Sequence, residues 1–511
     1  MPTKLIYFIF SFISGVLLAA AYLPFGLWWL SFIAIVPFMY IVWFSEIKSY
    51  KLIFGLSFLF FLVFFLIYLF WIRYVSFLGM LALCLFMAWL SAICMTIGKY
   101  VYEKLKISWW LIAIISWLSL EFVISYLFGG FPWVLLGYAL APVLSLCQIA
   151  DIFGVFGISL LVIYINCAIA YVIKNYYEIE SYAFIPLGYG IIFLAISWVY
   201  GNHIIKDSDS EEVSKIRIAI VQPNIKPEIK HDKSQDRKTI NKIIQLSKHA
   251  AKSSPQLLIW PESAIAGYLQ DYNVAYYYIS NFFAEYKIPI MSGTTRYYDD
   301  YTTKKRLYYN SVSVLEPPMQ IKNIRDKEHL VVFGEFIPFE EYLPFLKLVT
   351  PIDGSFSRGE TNSVYEFKYG TNDENSVCFG PLICFEDVFP KLAIALVKKG
   401  ANILVNLTND GWFGNHQPLQ HSKLAMFRAI ETRTPLIRAT NTGISSVFDK
   451  TGKVIGELII DGKNVNLQGV LSVEIPIQPA SSTFYMKCGN ILAVASFICL
   501  FVLIVPAYRK A

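Results

Sequence analysis

Residues 52–72 read LIFGLSFLFFLVFFLIYLFWI, twenty-one positions without one charged side chain. An α-helix rises about 1.5 Å per residue, so this stretch reaches across the ~30 Å hydrocarbon layer of a bilayer. Outward from it the pattern recurs at about Leu5 to Leu23, Leu27 to Phe44, Phe77 to Ile97, Trp109 to Phe128, Val155 to Ile173, Phe184 to Tyr200 and Ile491 to Tyr508. Eight spanning helices are therefore predicted, seven before a polar region and one after it; Pro186 and two glycines interrupt the seventh. The totals agree: of 511 residues, 56% are hydrophobic and 16% charged, too apolar for one soluble core.

The formal net charge of +6 is spread over the ends of apolar runs, which points to membrane topology and away from nucleic acid. With the N-terminus inside, Lys4, Lys48, Lys51, Lys99, Lys104, Lys106, Lys174, Arg509 and Lys510 fall on the cytoplasmic side, and the short outer loops carry little beyond Arg73. Three parts are expected: a transmembrane domain over 1–204, an extracytoplasmic domain over 205–486 and a last helix over 487–511. A cleaved signal in the first run, ending near Ala19-Ala20-Ala21, is the alternative, and it leaves the polar domain on the same side. Glu121 within a span must face protein or water, as a structural glutamate or near a lipid headgroup. The uncharged stretch from Gly129 to Ile149 is predicted to be either a segment dipping into the membrane or a buried loop.

Lys206 to Lys215 reads as a solvated linker. Beyond it, strand-like runs at Ile216 to Val221, Leu257 to Trp260, Ile288 to Ser292, Ser311 to Leu315, Val377 to Phe385, Ile403 to Leu407, Ser445 to Phe448 and Val470 to Ile475 mix with helical spacing at Lys233 to Ala251, the signature of an α/β fold. No phosphate-binding or dinucleotide pattern occurs, and His416 and His421 lie five apart, off one helical face, so neither a cofactor nor a metal is expected. Of eight cysteines, five lie in or beside apolar runs, which argues against a disulfide framework.

Three segments carry reactive groups: Trp260-Pro-Glu-Ser263, Asp326-Lys-Glu-His-Leu330 and Leu382-Ile-Cys-Phe-Glu-Asp387. A thiol with a pKa near 8.5 is only slightly ionised at neutral pH, so Cys384 needs a base. Glu262, in an apolar setting after Pro261, can supply it. Lys327 and the backbone N–H of Phe385 can stabilise the oxyanion that forms when sulfur attacks an ester carbonyl. Singly, each residue has a bland reading as a core thiol, a helix-start glutamate or a solvated lysine. Cys378 and Cys384 are expected to be free thiols.

In this order and with these neighbours, the three segments resemble the nitrilase superfamily, and nearly the whole chain resembles its membrane branch, the bacterial apolipoprotein N-acyltransferases. Leu23-Pro-Phe-Gly-Leu-Trp28, Phe131-Pro-Trp133, Ala219-Ile-Val-Gln-Pro-Asn224, Leu330-Val-Val-Phe-Gly-Glu335, Phe356-Ser-Arg-Gly359, Leu407-Thr-Asn-Asp-Gly-Trp-Phe-Gly414 and Arg438-Ala-Thr-Asn-Thr-Gly-Ile444 carry the likeness. The resemblance implies an αββα sandwich, with Glu262 as base, Lys327 as the family's lysine and Cys384 as nucleophile. It also implies Glu335 as a second carboxylate near the site, with Phe385, Glu386 and Asn310 in support. Phe385 stands where the family often has Tyr, Val332 where Pro is usual and His231 near a frequent Trp; loop geometry and lipid preference are what these departures touch.

The implied reaction passes an acyl chain from a phospholipid to Cys384 as a thioester. The chain then moves to the α-amine of an N-terminal diacylglyceryl-cysteine on an apolipoprotein, in a membrane-embedded monomer of the bacterial inner membrane with its catalytic domain on the periplasmic side. Drawing a palmitoyl-length chain into water costs on the order of 12 kcal/mol, so such a site must open onto the bilayer. The alternatives are a membrane-tethered amidase using the same three residues on a soluble substrate, and a transporter, which leaves the outer pattern unexplained.

Overall fold

The computed structural model describes residues 3–176, 181–210, 213–230, 232–302, 304–337, 355–360, 363–369, 375–477, 479 and 482–510. The chain divides into two compact units, Met1–Asp209 with Phe484–Ala511, and Ser210–Thr483.

The first unit is helical: α1 (Thr3–Tyr22), α2 (Val36–Phe44), α3 (Tyr50–Tyr68), α4 (Phe77–Leu105), α5 (Trp109–Tyr126), α6 (Leu144–Cys147), α7 (Ala150–Asn175), α8 (Ile185–Ser210), and, after the second unit, α14 (Phe484–Cys488) and α15 (Ile491–Arg509). Among the described residues seven helices are long and apolar enough to cross a membrane, and the remaining predicted span is a shorter apolar segment, Trp28–Phe44. The second predicted span is a 3-10 turn, Trp28–Phe32, followed by the nine-residue α2, whose Pro37 near its start lacks the N–H that would continue the ladder. Lys206 to Ser210, expected as linker, instead extends α8, while residues 211 and 212 fall outside the described residues.

The uncharged loop after α5 is a buried loop: Trp133, Leu135, Leu136, Tyr138 and Leu140 are all nearly inaccessible. Its backbone needs partners there, and it finds them. Glu121 Oε1 accepts from the Leu136 N–H at 2.7 Å and from Trp117 Nε1 at 3.1 Å, and Ser159 Oγ accepts from the Gly137 N–H at 2.9 Å. Glu121 thus ties the buried loop to α5.

The second unit holds two six-stranded sheets, ordered β12-β1-β2-β3-β4-β5 and β11-β10-β9-β8-β7-β6. Their strands are β1 (Lys215–Gln222), β2 (Leu257–Ile259), β3 (Ile290–Asp300), β4 (Lys305–Glu316), β5 (Gln320–Asp326), β6 (Tyr365–Tyr369), β7 (Asn375–Ile383), β8 (Ile403–Thr408), β9 (Leu436–Thr440), β10 (Ser446–Phe448), β11 (Val454–Glu457) and β12 (Gly469–Pro476). Period-two alternation splits β1: Ile216, Ile218 and Ile220 enter the core between the sheets with Val377, Ile403, Val405 and Ile437, while Ala219 and Val221 face helices. Beside α9 (Pro227–Lys230), α10 (Asp236–Ala251) and α11 (Val274–Tyr286) cover the first sheet, and α12 (Pro390–Lys398) and α13 (Gln417–Thr432) pack on the second. The result is the αββα sandwich. Strands β5, β6, β9 and β11 were not among the predicted runs, and the predicted strand through Phe385 stops at Ile383, where a 3-10 turn begins at Cys384.

Candidate active site

Glu262, Lys327 and Cys384 each follow the carboxyl end of a strand: β2 ends three residues before Glu262, β5 directly before Lys327 and β7 directly before Cys384. Open α/β sheets bind ligands at this edge. The Glu262 turn lies so close to β3 that a Cβ at Gly293 would sit 2.5 Å from the Glu262 Cα, so glycine is required there. Cys384 has a left-handed backbone, φ 51°, uncommon for a residue with a side chain and a form of strain concentrated at functional sites. Asn406 on β8 holds that turn, its Nδ2 donating to the Cys384 carbonyl at 2.7 Å.

Around Lys327, which is 1% exposed, two carboxylates and one amide converge. Its ammonium donates to Glu335 Oε1 at 2.8 Å and lies 3.9 Å from Glu262 Oε1. Asn310 Nδ2 donates to both carboxylates, at 2.8 Å to Glu262 and 3.1 Å to Glu335, while the Asn310 backbone carbonyl accepts the Lys327 N–H. Glu335 Oε2 also accepts from the Val331 N–H at 2.9 Å. The predicted Glu335 and Asn310 therefore stand in one network with Glu262 and Lys327.

Two carboxylates around one cation leave an excess negative charge in a buried place. Burial, followed by the repulsion of Glu335, raises the Glu262 pKa above the ordinary carboxylate range against the attraction of Lys327. For Lys327, burial works toward the neutral amine, but Glu335, Glu262 and Cys384 outweigh it and keep the ammonium protonated. Burial and Glu262 push the Cys384 thiol well up, and Lys327 does not reverse this. Burial and the neighbouring carboxylate thus favour the neutral thiol over the thiolate at Cys384.

Glu386 fastens two strand ends together. Its Oε1 accepts from Arg325 Nη2 at 3.0 Å and from the N–H groups of Glu328 and His329 at 2.7 and 3.1 Å, and its Oε2 accepts from the Ile383 N–H at 2.9 Å. Arg325 also donates to the Pro381 carbonyl at 2.5 Å. One carboxylate thus holds the residues after Lys327 and the residue before Cys384. Phe385 packs edge-on to Phe389 at 5.3 Å, and the His329 ring lies 3.7 Å from Phe389; burial, with Lys327 and Arg358, lowers the His329 pKa to about 4, so it is neutral. The Gly359 N–H donates to the Lys327 carbonyl at 2.8 Å, which brings the Phe356–Gly359 motif to the site. Val332 bridges to Phe336 in the turn that carries Glu335, and His231 lies outside the described residues.

Sequence reasoning missed three groups. Arg325 lies on β5, whose only apolar residues are Ile321 and Ile324, so the segment reads as polar. Lys230 donates to the carbonyls of Glu262 and Ser263 at 3.2 and 3.0 Å, and burial lowers its pKa to about 8. Behind Cys384, His421 bonds Asp387 through Nε2 and Asp410 through Nδ1, both at 2.8 Å, and Arg438 reaches the same two carboxylates at 3.0 and 2.5 Å. Both ring nitrogens donate to carboxylates, so His421 is an imidazolium and is not free to ligate a metal. Two cations and two anions cancel. Burial favours neutral Asp410, but Arg438 and His421 hold it down at about 2. Among the described residues no group of three His, Cys, Asp or Glu side chains is placed to hold a metal ion. All eight cysteines are free; Cys378 and Cys384 lie six residues, roughly 20 Å, apart along one extended segment, beyond disulfide reach.

Residues 217–483 match the carbon-nitrogen hydrolase family, and residues 14–168 match the apolipoprotein N-acyltransferase N-terminal domain. The apolipoprotein N-acyltransferase of Geobacter metallireducens is 34% identical over 407 residues, covering 77% of this chain and 73% of that one. The apolipoprotein N-acyltransferase of Brucella melitensis is 33% identical over 355 residues, 68% of this chain and 64% of its own length. An amidase from Nesterenkonia sp. superposes with a TM-score of 0.36 at 17% identity, covering 56% of this chain and 98% of that one. With apolar helices ahead of a carbon-nitrogen hydrolase sandwich, and with relatives aligned over most of its length, this chain belongs to the apolipoprotein N-acyltransferase family of membrane acyltransferases.

Proposed function

We propose that this protein moves an acyl chain from a phospholipid to the N-terminal α-amine of a diacylglyceryl-cysteine through a thioester on Cys384. The observation that carries the reading is the buried set of Glu262, Lys327, Glu335 and Asn310 at the strand ends, with Cys384 at the end of β7. In the first half-reaction Glu262 takes the thiol proton as sulfur attacks the ester carbonyl carbon. The Lys327 ammonium and the Phe385 N–H stabilise the oxyanion. The C–O bond breaks, Glu262 returns the proton to the glycerol oxygen, and lysophospholipid leaves. In the second, the lipoprotein amine attacks the thioester carbon, Glu262 receives the amine proton, and the C–S bond breaks as the proton returns to sulfur.

Glu335 and Asn310 orient Lys327 and Glu262, Glu386 positions the turns on either side, and no cofactor takes part. The positive charges at the helix ends support an inner-membrane topology with residues 205–486 on the periplasmic side and Trp28–Phe44, 17 residues long, as an eighth short crossing. A monomer suffices, because Glu262, Lys327 and Cys384 all come from one chain.

The test incubates purified protein with phospholipid and a diacylated lipopeptide. Lysophospholipid, triacylated peptide and an acyl-enzyme absent from Cys384→Ala support transfer; lipid-independent ammonia release from a soluble amide points to the amidase instead.

A further inference from the structure

Beyond this chemistry, we propose that the helical unit carries a binding site for an anionic glycerophospholipid, one acyl chain lying in a groove between α1, α2 and α7 and the phosphate meeting Lys174. The groove has a volume of about 290 Å³ and is lined by Phe10, Ile13, Val36, Pro37, Tyr40 and Ile173. Its cause lies in the second apolar run. Val36 and Pro37 form the first turn of α2, where the chain has just left the 3-10 turn, so a straight helix that would fill this side of the bundle is replaced by a short one.

Room for roughly ten water-sized volumes without polar lining gives water no partners. Exposed Phe10 and Ile13, each 40% accessible, and Ile173, 48%, leave dispersion contacts unmade that a hydrocarbon chain supplies.

Charge selects the headgroup. Lys174 follows Ile173 directly, its ammonium 5.0 Å from the Phe44 ring, and Phe44 lies one turn beyond Tyr40, with their rings 5.7 Å apart. The lysine is thus placed at the end of the groove, and among the described residues no carboxylate pairs with it. Lys4 on α1 precedes Phe10 by six residues, about 9 Å along the helix, and Lys48 and Lys51 follow α2 beside Glu46, so four lysines stand against Glu46 and against Glu178 and Glu180, which follow Lys174 outside the described residues. Basic pockets between helices at a membrane surface recognise anionic headgroups.

Native mass spectrometry of the full chain in mild detergent, with phosphatidylglycerol or phosphatidylethanolamine of matched chains, tests this. The expected result is one retained phosphatidylglycerol, favoured about fivefold over phosphatidylethanolamine, the worth of one lysine at a membrane surface. Ile13→Trp, which fills the groove, should abolish retention, and Lys174→Gln should bring both lipids to parity; Ile196→Trp on the outer face of α8 should change nothing. Equal retention of the two lipids by the natural protein, or equal retention by the two tryptophan variants, means ordinary annular lipid and overturns the site. Acyl-enzyme formation followed on the same samples keeps the tests apart: its failure in every sample would sink the proposed reaction and leave the lipid count decisive.

Discussion

In the helical unit the hydroxyls of Ser91, Thr96, Ser116, Ser119 and Ser125 each return to the carbonyl four residues earlier, at 2.6 to 2.7 Å, and Glu121 serves a backbone N–H and an indole. In the sandwich unit charge meets charge: Lys327 with Glu262 and Glu335, Arg325 with Glu386, His421 and Arg438 with Asp387 and Asp410. The first unit pairs its polar atoms mostly through neutral hydrogen bonds, helix-local hydroxyls and long-range ones such as Tyr22 to the Leu135 carbonyl and Asn166 to the Ser31 carbonyl, which suits a solvent that offers no partners. The second uses long-range pairs to fix strand ends against one another, which suits a site whose geometry must survive a chemical cycle. A neutral bond tolerates substitution better than a buried ion pair, because losing one member of the ion pair strands a charge.

Loss of the sulfur is the largest effect expected: Cys384→Ala should form no acyl-enzyme by mass spectrometry while folding normally, and a thioester elsewhere in that variant would move the nucleophile. Next, Arg325→Met leaves Glu386 buried without its cation and should destabilise the sandwich by about 3–5 kcal/mol. Proteolysis of residues 210–483 is the readout, and unchanged resistance would mean the strand ends do not depend on this pair. Lys327→Met removes the charge facing the oxyanion and should slow acylation about 10²- to 10³-fold, and because it leaves Glu262 and Glu335 without their cation the rate is read on the fraction that resists proteolysis; a rate within tenfold of normal contradicts that role.

Lys230→Met should act through Glu262. Glu262 works as a base only when ionised, and its raised pKa places the acid limb of the pH profile above the ordinary carboxylate range. Activity is present above that pKa and lost as pH falls through it. Without the Lys230 charge the limb should move to higher pH, and Lys230→Arg should restore it; an unmoved limb would reduce Lys230 to a tether for the Glu262 and Ser263 carbonyls. Smallest of all, Glu121→Gln keeps an acceptor oxygen for Leu136 and Trp117 and should cost no more than about 1 kcal/mol in thermal unfolding. A larger loss would show that the helical unit, too, depends on charge.

Several elements were hidden by the same rule that separates the units. β9, Leu436–Thr440, is wholly buried but carries Arg438 at its centre, and a charge inside an apolar run reads as a loop until Asp387 and Asp410 are seen to neutralise it. β5 reads as polar because Arg325 and Asp326 both point to partners far along the chain, Glu386 and Arg296. α2 is short because a local Pro37 outweighed an apolar pattern that length alone extended to a span. Conversely, the strand-end placement of Cys384, Glu262 and Lys327 was legible from the runs and turns beside them, whereas singly each read as an ordinary residue and only the order of the three segments, through the resemblance, implied their roles.

The sequence alone determined which stretches are apolar enough for a bilayer, which residue types can act as nucleophile, base and cation, and the αββα family to which they belong. Those are properties of neighbouring residues. Only the tertiary structure decided that Asn310 joins two carboxylates around Lys327, that Glu386 ties two strand ends, that Lys230 touches the Glu262 turn, and that the second apolar run breaks and leaves a groove. Each of these is a pairing between distant residues whose energy exists only once the intervening chain has been folded and water removed, and no local pattern records it.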